Sequence, residues 1–295
     1  MDPPRPMSLD LGLEGSHVVV TGGAGLIGRV VVDAFMAAGA HVSSLDISYP
    51  VDAAPKDHGQ HGQHGEHGEH VEIHCDISDE LSVRDAFQQA TSTHGPVEVC
   101  IASAALDLSV LQPASFADAS FAQLKRVLDV NVAGTWLTAR EWLRGLRLAK
   151  SEGTAVRNAN LVIVGSESGH FGERLNAEYS LAKSAVQVGL LMSLRAEAVR
   201  EWPGGIVRVN AIAPGAVATE RWAAEVQENP EQLYLEAQAT TALCQPIPRE
   251  AVAKTIVMLA SENFSSHVHG QVINVDGGKQ GKVVWTKQEI ADAEA

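Results

Sequence analysis

The chain has 295 residues, 45% of them hydrophobic, which is enough to bury a large core. Its formal charge of −14 argues against partners that present phosphate, so neither nucleic acid nor an anionic membrane surface is expected as a partner. Cys75, Cys100 and Cys244 are too few and too scattered for a disulfide framework or a Cys-rich metal site. With no apolar run of about 18 residues and no signal-peptide segment near Met1, the expectation is a soluble protein of a reducing compartment, the cytoplasm.

Residues 1–15 read as a tail. Ser-His-Val-Val-Val-Thr (16–21) reads as a buried strand, and Gly-Gly-Ala-Gly-Leu-Ile-Gly (22–28) follows it directly and opens a helix. Gly22, Gly25 and Gly28 let the backbone turn tightly and approach a pyrophosphate at the helix N-terminus, where unpaired N–H groups and the helix dipole favour anions. A second short strand, His-Val-Ser-Ser-Leu, ends in Asp46. A carboxylate there hydrogen-bonds the adenosine ribose and repels a 2′-phosphate, which predicts NAD over NADP. Arg29 reads as a solvated first-turn residue, although a base near the loop could attract phosphate.

Residues 57–70 form a low-complexity insert with a histidine at every third position, His58, His61, His64, His67 and His70. Neutral imidazoles are good ligands for zinc, nickel or copper. The favoured reading is a solvated glycine-rich loop, because ordering such a tract carries a high entropy cost, and no metal ligands are assigned. Strands are expected near 17–21, 41–46, 71–75, 97–102, 160–165, 206–212 and 271–275. Alternation with helical segments implies an α/β chain with a doubly wound, seven-stranded parallel sheet flanked by helices. Residues 118–150 should form one helix, bent or interrupted around 131–134. The segment 180–199 is apolar nearly all round, so it should be buried on several sides. Cys75 and Cys100 fall in expected strands and read as buried, inert thiols.

Tyr179 and Lys183 stand one helical turn apart on a common face, with Ser166 at the end of an apolar strand-like run. An ammonium about 4 Å from a phenol, at an effective dielectric near 20, favours the phenolate by about 4 kcal/mol, or roughly three pKa units. Tyr179 is therefore expected to titrate near neutrality, where general acid–base catalysis works best.

Together these segments resemble the short-chain dehydrogenase/reductase family from about residue 16 to residue 278, which implies a single-domain Rossmann fold over 16–278. Asp76, after Val-Glu-Ile-His-Cys, matches the family's adenine-contacting aspartate, and Asn131, in Asp-Val-Asn-Val-Ala-Gly, matches the asparagine that kinks the fourth helix. Asn131, Ser166, Tyr179 and Lys183 match the catalytic tetrad. The resemblance implies that Tyr179 exchanges the hydroxyl proton, Ser166 fixes the substrate oxygen, Lys183 holds the nicotinamide ribose and Asn131 holds a relay water. Arg-Val-Asn-Ala-Ile-Ala-Pro-Gly-Ala-Val-Ala-Thr (208–219) matches the turn beside the nicotinamide, so Pro214, Gly215, Val217 and Thr219 join Leu26, Ile27 and Ala104 as expected cofactor contacts. Gly-Gln-Val-Ile-Asn-Val-Asp-Gly-Gly (270–278) matches the closing strand.

Two places depart from the single-domain branch. Leu26 replaces its usual glycine, which leaves a TGxxGxxG loop, and Ala102-Ser103-Ala104-Ala105 replaces Asn-Asn-Ala-Gly. The family's substrate lid corresponds to residues 216–245, with Trp222 and Leu233 as apolar cover, and residues 279–295 form an extension in which Val283, Val284 and Trp285 could dock on a neighbouring subunit. In the family the fourth and fifth helices pair subunits, so a homodimer or homotetramer is expected. The implied reaction is NAD-dependent hydride transfer to or from a secondary alcohol or ketone. The loop 167–178, with His170, Arg174 and Asn176, suits a polyol, a sugar acid or an oxygenated ring. The alternatives are a non-redox epimerase, lyase or cyclase on the same fold, and a dinucleotide-sensing module.

Overall fold

The fold is described from a computed structural model, for residues 7–51, 68–202 and 207–293. His58, His61, His64 and His67 of the tract lie outside the described residues. In chain order the elements are β1 (His17–Thr21), α1 (Gly28–Ala37), β2 (His41–Asp46), β3 (His70–His74), α2 (Glu80–His94), β4 (Val99–Ala102), α3 (Phe121–Val127), α4 (Thr135–Ser151) and β5 (Ala159–Val164). They continue with α5 (Ser168–Phe171), α6 (Ala177–Ser184), α7 (Leu191–Glu201), β6 (Val207–Pro214), α8 (Glu220–Glu228), α9 (Pro230–Leu233), α10 (Arg249–Ala260), α11 (Glu262–Ser265), β7 (Val272–Val275) and α12 (Lys287–Ala293).

The strands form one seven-stranded sheet in the order β3-β2-β1-β4-β5-β6-β7. Every neighbouring pair is parallel. All seven strands lie within two residues of their expected positions. Parallel strands covered on both faces need continuous apolar runs, and Val18, Val19 and Val20 supply one. Alternate side chains then divide between two cores. Val18, Val20, Ile101, Val162 and Ile212 pack against Phe35 of α1 and Ile256 of α10. Val19, Cys100, Leu161, Ile163 and Val209 pack against Phe87 of α2, Trp142 of α4 and Leu191 of α7. Each large side chain buried in this way contributes about 1.5–3 kcal/mol.

The interruption expected at 131–134 is a π-helical stretch, Leu128–Gly134, that joins α3 to α4. A second π-helical stretch, Ala185–Leu190, joins α6 to α7. Here the expectation of burial on several sides fails. Val186, Leu191 and Leu194 face the sheet, but Leu181, Val188, Met192 and Val199 are 36–52% exposed, because a helix laid on one sheet face buries only that side within its own chain. Near the N-terminus Leu13 is fully buried, and the Leu11 and Asp10 carbonyls accept hydrogen bonds from Ser261 and Asn263. Cys75 and Cys100 are buried and their thiols are pushed up by burial, Cys75 to about 12. Among the described residues no helix is long and apolar enough to cross a membrane.

Arg208, on β6, is 1% exposed. Its guanidinium donates to the carbonyls of Leu259 (2.8 Å), Ala260 (3.1 Å) and Ser265 (3.0 Å) and to Asn158 Oδ1 (2.8 Å), tying β6 to the end of α10. Desolvation pulls it down to about 10. Arg208→Met would remove these donated bonds and leave Asn158 Oδ1 buried without its donor, at a cost of about 1–3 kcal/mol. Equilibrium denaturation should show this loss, with Arg208→Lys recovering only part of it because an ammonium lacks the planar fork.

Candidate active site

The site lies at the carboxyl ends of the strands, in a cleft of about 1160 Å³ that runs from the glycine loop to Lys282. This end of an open parallel sheet, where the strand order reverses, is where ligands bind in such folds. At Gly22 the backbone has φ +72°, and an added Cβ would stand 2.7 Å from Ala104 Cα, so this turn requires glycine. At Gly28 a Cβ would lie 2.0 Å from the Gly22 carbonyl oxygen. Gly25 closes the turn by donating to that same oxygen at 3.0 Å. Gly23, which the sequence pattern did not single out, lies where a Cβ would meet Ser44 Oγ at 1.9 Å. No side chain caps the start of α1, and its first residue, Gly28, lines the cleft.

Asp46 Oδ2 accepts from the Ala24 N–H at 3.1 Å, which fixes the carboxylate beside the loop. Asp76 is steadied by Ser78, whose N–H and hydroxyl both donate to Oδ1. Ala102 and Ser103 stand where the family carries asparagine, and the N–H groups of Ser103 and Ala104 donate to Thr21 Oγ1 at 3.1 and 3.2 Å. A threonine on β1 therefore ties down the β4 end. The glycine cradle and the fixed acid fit a dinucleotide. Gly22, Gly25, Leu26, Ile27, Gly28, Asp46, Asp76, Ala104, Pro214, Gly215, Val217 and Thr219 all line the cleft, whereas Arg29 does not.

Ser166, Tyr179 and Lys183 converge on the cleft wall, each at most 9% exposed. The Ser166 N–H donates to Gln187 Oε1 at 2.8 Å, and its hydroxyl accepts from the Ser168 N–H at 3.2 Å. Gln187 is a positioning residue that sequence reasoning missed. Its signal was the pair Gly165 and Gly169, where a Cβ would come within 2.1 and 2.6 Å of its amide. Asn131 does not line the cleft. Its side chain bonds the Leu106 backbone at both ends, accepting from N–H at 2.7 Å and donating to the carbonyl at 2.9 Å. It thereby holds a cleft-lining residue in place.

The expected lowering of Tyr179 is reversed. Burial pushes the phenol above its ordinary range, and Asp107 and Glu173 add to the rise against the opposing effects of Ser166 and Lys282. Lys183 gives no counterweight, since its ammonium donates to the Val164 carbonyl at 2.9 Å and lies 5.8 Å from the phenol ring centre. Burial also pulls Lys183 down to about 8. Helical spacing places the two residues on one face, but the side-chain direction that decides the electrostatics comes from the β5 carbonyl.

Beyond Tyr179 the cleft is walled by charge. Lys282 donates to Glu167 Oε1 at 3.0 Å and to Glu173 Oε2 at 2.8 Å. Burial opposes the Lys282 charge, but these two carboxylates outweigh it and hold the ammonium well above its usual range. Lys279 lies 3.1 Å from the same Glu167 oxygen. Glu236, raised by burial, lies nearby on a π-helical stretch, Tyr234–Gln238. The extension thus sends Lys282 into its own chain's cleft. Of the 167–178 loop, Glu167, Ser168 and Glu173 line the cleft, while Arg174 pairs with Glu289 of α12. Trp222 lines the cleft as expected; Leu233 does not, and Gln232 does. Arg221 bridges the lid to the loop after β4 through Asp107, at 3.4 Å, and Ser109.

The family model described as "Enoyl-(Acyl carrier protein) reductase" matches residues 22–280. The (−)-isopiperitenol/(−)-carveol dehydrogenase, mitochondrial, of Mentha piperita is 30% identical over 275 residues, covering 91% of this chain and 94% of that protein. Glucose 1-dehydrogenase 2 of Bacillus subtilis (strain 168) is 28% identical over 266 residues, covering 90% of this chain and 95% of its own. Among solved structures, a 7 alpha-hydroxysteroid dehydrogenase complexed with NADH and 7-oxo glycochenodeoxycholic acid superposes with a TM-score of 0.75 at 22% identity, over 94% of this chain and 98% of that one. A parallel sheet of this order, a glycine cradle at its switch point and a Ser–Tyr–Lys cluster beside it accord with these matches: the chain belongs to the short-chain dehydrogenase/reductase family, whose oxidoreductases act on CH–OH groups.

Proposed function

We propose that this chain is an NAD-dependent dehydrogenase that interconverts a secondary alcohol and its ketone on a neutral, hydroxyl-bearing substrate. The observation that carries this reading is the placement of Ser166, Tyr179 and Lys183 in one cleft with the glycine cradle and Asp46. Gly22, Gly25 and Gly28 would hold the pyrophosphate, Asp46 the adenosine ribose, and Val217 and Thr219 the nicotinamide end. Bound NAD supplies hydride acceptance at the nicotinamide, with a positive charge that favours the phenolate of Tyr179. Ser166 orients the substrate oxygen, and Tyr179 takes the hydroxyl proton in oxidation and returns it in reduction. Lys183, held near 8 by burial, is poised to pass that proton onward.

A polyol or hydroxylated ring is favoured over a sugar acid. Glu167, Glu173, Glu225 and Glu236 line the substrate end, and Lys282 is already engaged by two of them, so a substrate carboxylate would meet net repulsion. The carveol and glucose dehydrogenase relatives are named for ring alcohols. A homodimer through α4, α6 and α7 would cover Trp136, Val188 and Met192, which stand exposed. The cysteines are all thiols, in keeping with a cytoplasmic location.

Calorimetric titration should show NAD binding at least about ten-fold tighter than NADP, or about 1.4 kcal/mol; equal affinities would remove the role given to Asp46. NADH formation from polyols and cyclic alcohols should fall about 100- to 10,000-fold in Tyr179→Phe with NAD affinity kept. An epimerase, lyase or cyclase would instead show no net NADH, and a sensing module no turnover. Because burial keeps Tyr179 protonated, the oxidative rate should climb through the alkaline range, while the reductive rate holds at neutral pH and below. Lys282→Met should raise KM about ten-fold with little change in NAD affinity. In light scattering, Val188→Glu should yield monomers.

A further inference from the structure

At the amino ends of the strands, opposite the cleft, three side chains from distant parts of the sequence meet. His41 opens β2, Glu69 immediately precedes β3, and His94 closes α2. The His41 and His94 rings stack, with centroids 5.2 Å apart and planes at 20°. Glu69 Oε2 lies 3.6 Å from His94 Nδ1. One donor atom from each of the three residues lies within 4.8 Å of the other two. The geometry points to a site for a zinc-class divalent cation, ligated by His41, Glu69 and His94.

The backbone around the cluster is built to bring these groups together. At Gly68 an added Cβ would lie 1.8 Å from the Ala40 carbonyl oxygen, so the chain passes directly behind β2 and delivers Glu69 to His41. The Glu69 carbonyl accepts from the Val42 N–H at 2.8 Å. Gly95, at φ +80°, ends α2 immediately after His94, and its carbonyl accepts from His17 Nδ1 at 2.8 Å. His17 Nε2 then accepts from Ser43 Oγ at 2.9 Å, so both of its nitrogens are engaged. His17 packs edge-on to His94, at 5.3 Å, as a wall rather than a ligand.

Two imidazoles and a carboxylate are donors zinc takes readily, with water completing a tetrahedron. Donor distances of about 2.0–2.1 Å require the three atoms to draw closer than they stand here. The His94 side chain is 3% exposed and the Glu69 side chain 64%, so the carboxylate is the part that moves at little cost. His41 Nδ1 accepts the exposed Glu69 N–H at 3.1 Å, and ligation through that nitrogen exchanges this bond for the metal while the N–H turns to water. The ion would join the edge strand β3, its neighbour β2 and the end of α2. It would stabilise the fold and take no part in catalysis, since Tyr179 lies at the other end of the sheet.

The test uses the full-length chain and Zn2+ alone, and it must separate this site from chelation by the tract. In one variant His58, His61, His64 and His67 are all replaced by asparagine. Calorimetry on this variant should still show one Zn2+ per chain. At Zn2+ about a hundred-fold above Kd the unfolding temperature should rise by about 4 °C, and EDTA should reverse the rise. Adding Glu69→Gln, at an exposed position that tolerates change, should weaken binding about ten-fold or more. His94→Gln should abolish the thermal shift, and dehydrogenase activity should be unaffected by either change. No Zn2+ binding in the tract variant, or binding that Glu69→Gln and His94→Gln leave unchanged, would overturn the proposal.

Discussion

The contact on which the reactive end depends is the one between Lys183 and the last carbonyl of β5. A buried ammonium must find acceptors, and the Val164 oxygen at 2.9 Å is what the sheet end offers. That bond anchors α6 against the carboxyl end of β5, which sets Tyr179 beside Ser166. It also draws the ammonium away from the phenol, so both groups are governed first by desolvation, which raises Tyr179 and lowers Lys183. From ordinary values that nearly coincide, burial pushes the two affinities apart, so the phenol holds its proton more tightly than the ammonium does.

Among the described residues, each of the three π-helical stretches lies beside this arrangement. Leu128–Gly134 carries Asn131, which clamps Leu106. Ala185–Leu190 carries Gln187, which receives the Ser166 N–H. Tyr234–Gln238 carries Glu236 at the substrate end. A widened turn shifts the register of the side chains that follow it, which lets one helix pack apolar residues on the sheet while turning a single polar group inward. Such turns recur at functional sites for that reason.

The cleft joins two electrostatic regimes. At the glycine loop the backbone supplies N–H groups, and the Asp46 carboxylate is tied to the Ala24 N–H. At the substrate end, side chains from the 167–178 loop, the lid and the extension interlock through Lys279 and Lys282. A change in the extension around Lys282 therefore acts directly on this end of the cleft, although Lys282 lies more than 100 residues from Tyr179 in sequence.

Much of this was legible in the amino-acid sequence by itself. Apolar runs marked the central strands β1, β4 and β5, because a parallel strand covered on both faces is most readily written with continuous apolar residues. The glycine spacing followed by Asp46 marked the cradle, because backbone approach at Gly22 and Gly28 tolerates no Cβ. The interval between Tyr179 and Lys183 put them on one helical face, because that follows from the helical repeat alone. Only the tertiary structure decided where the Lys183 ammonium goes, that Thr21 tethers Ser103 and Ala104, that Arg174 turns to α12 while Lys282 enters the cleft, and that His41, Glu69 and His94 meet. Those contacts join residues far apart in the chain, and their geometry depends on how strands and helices stack, which no local pattern encodes.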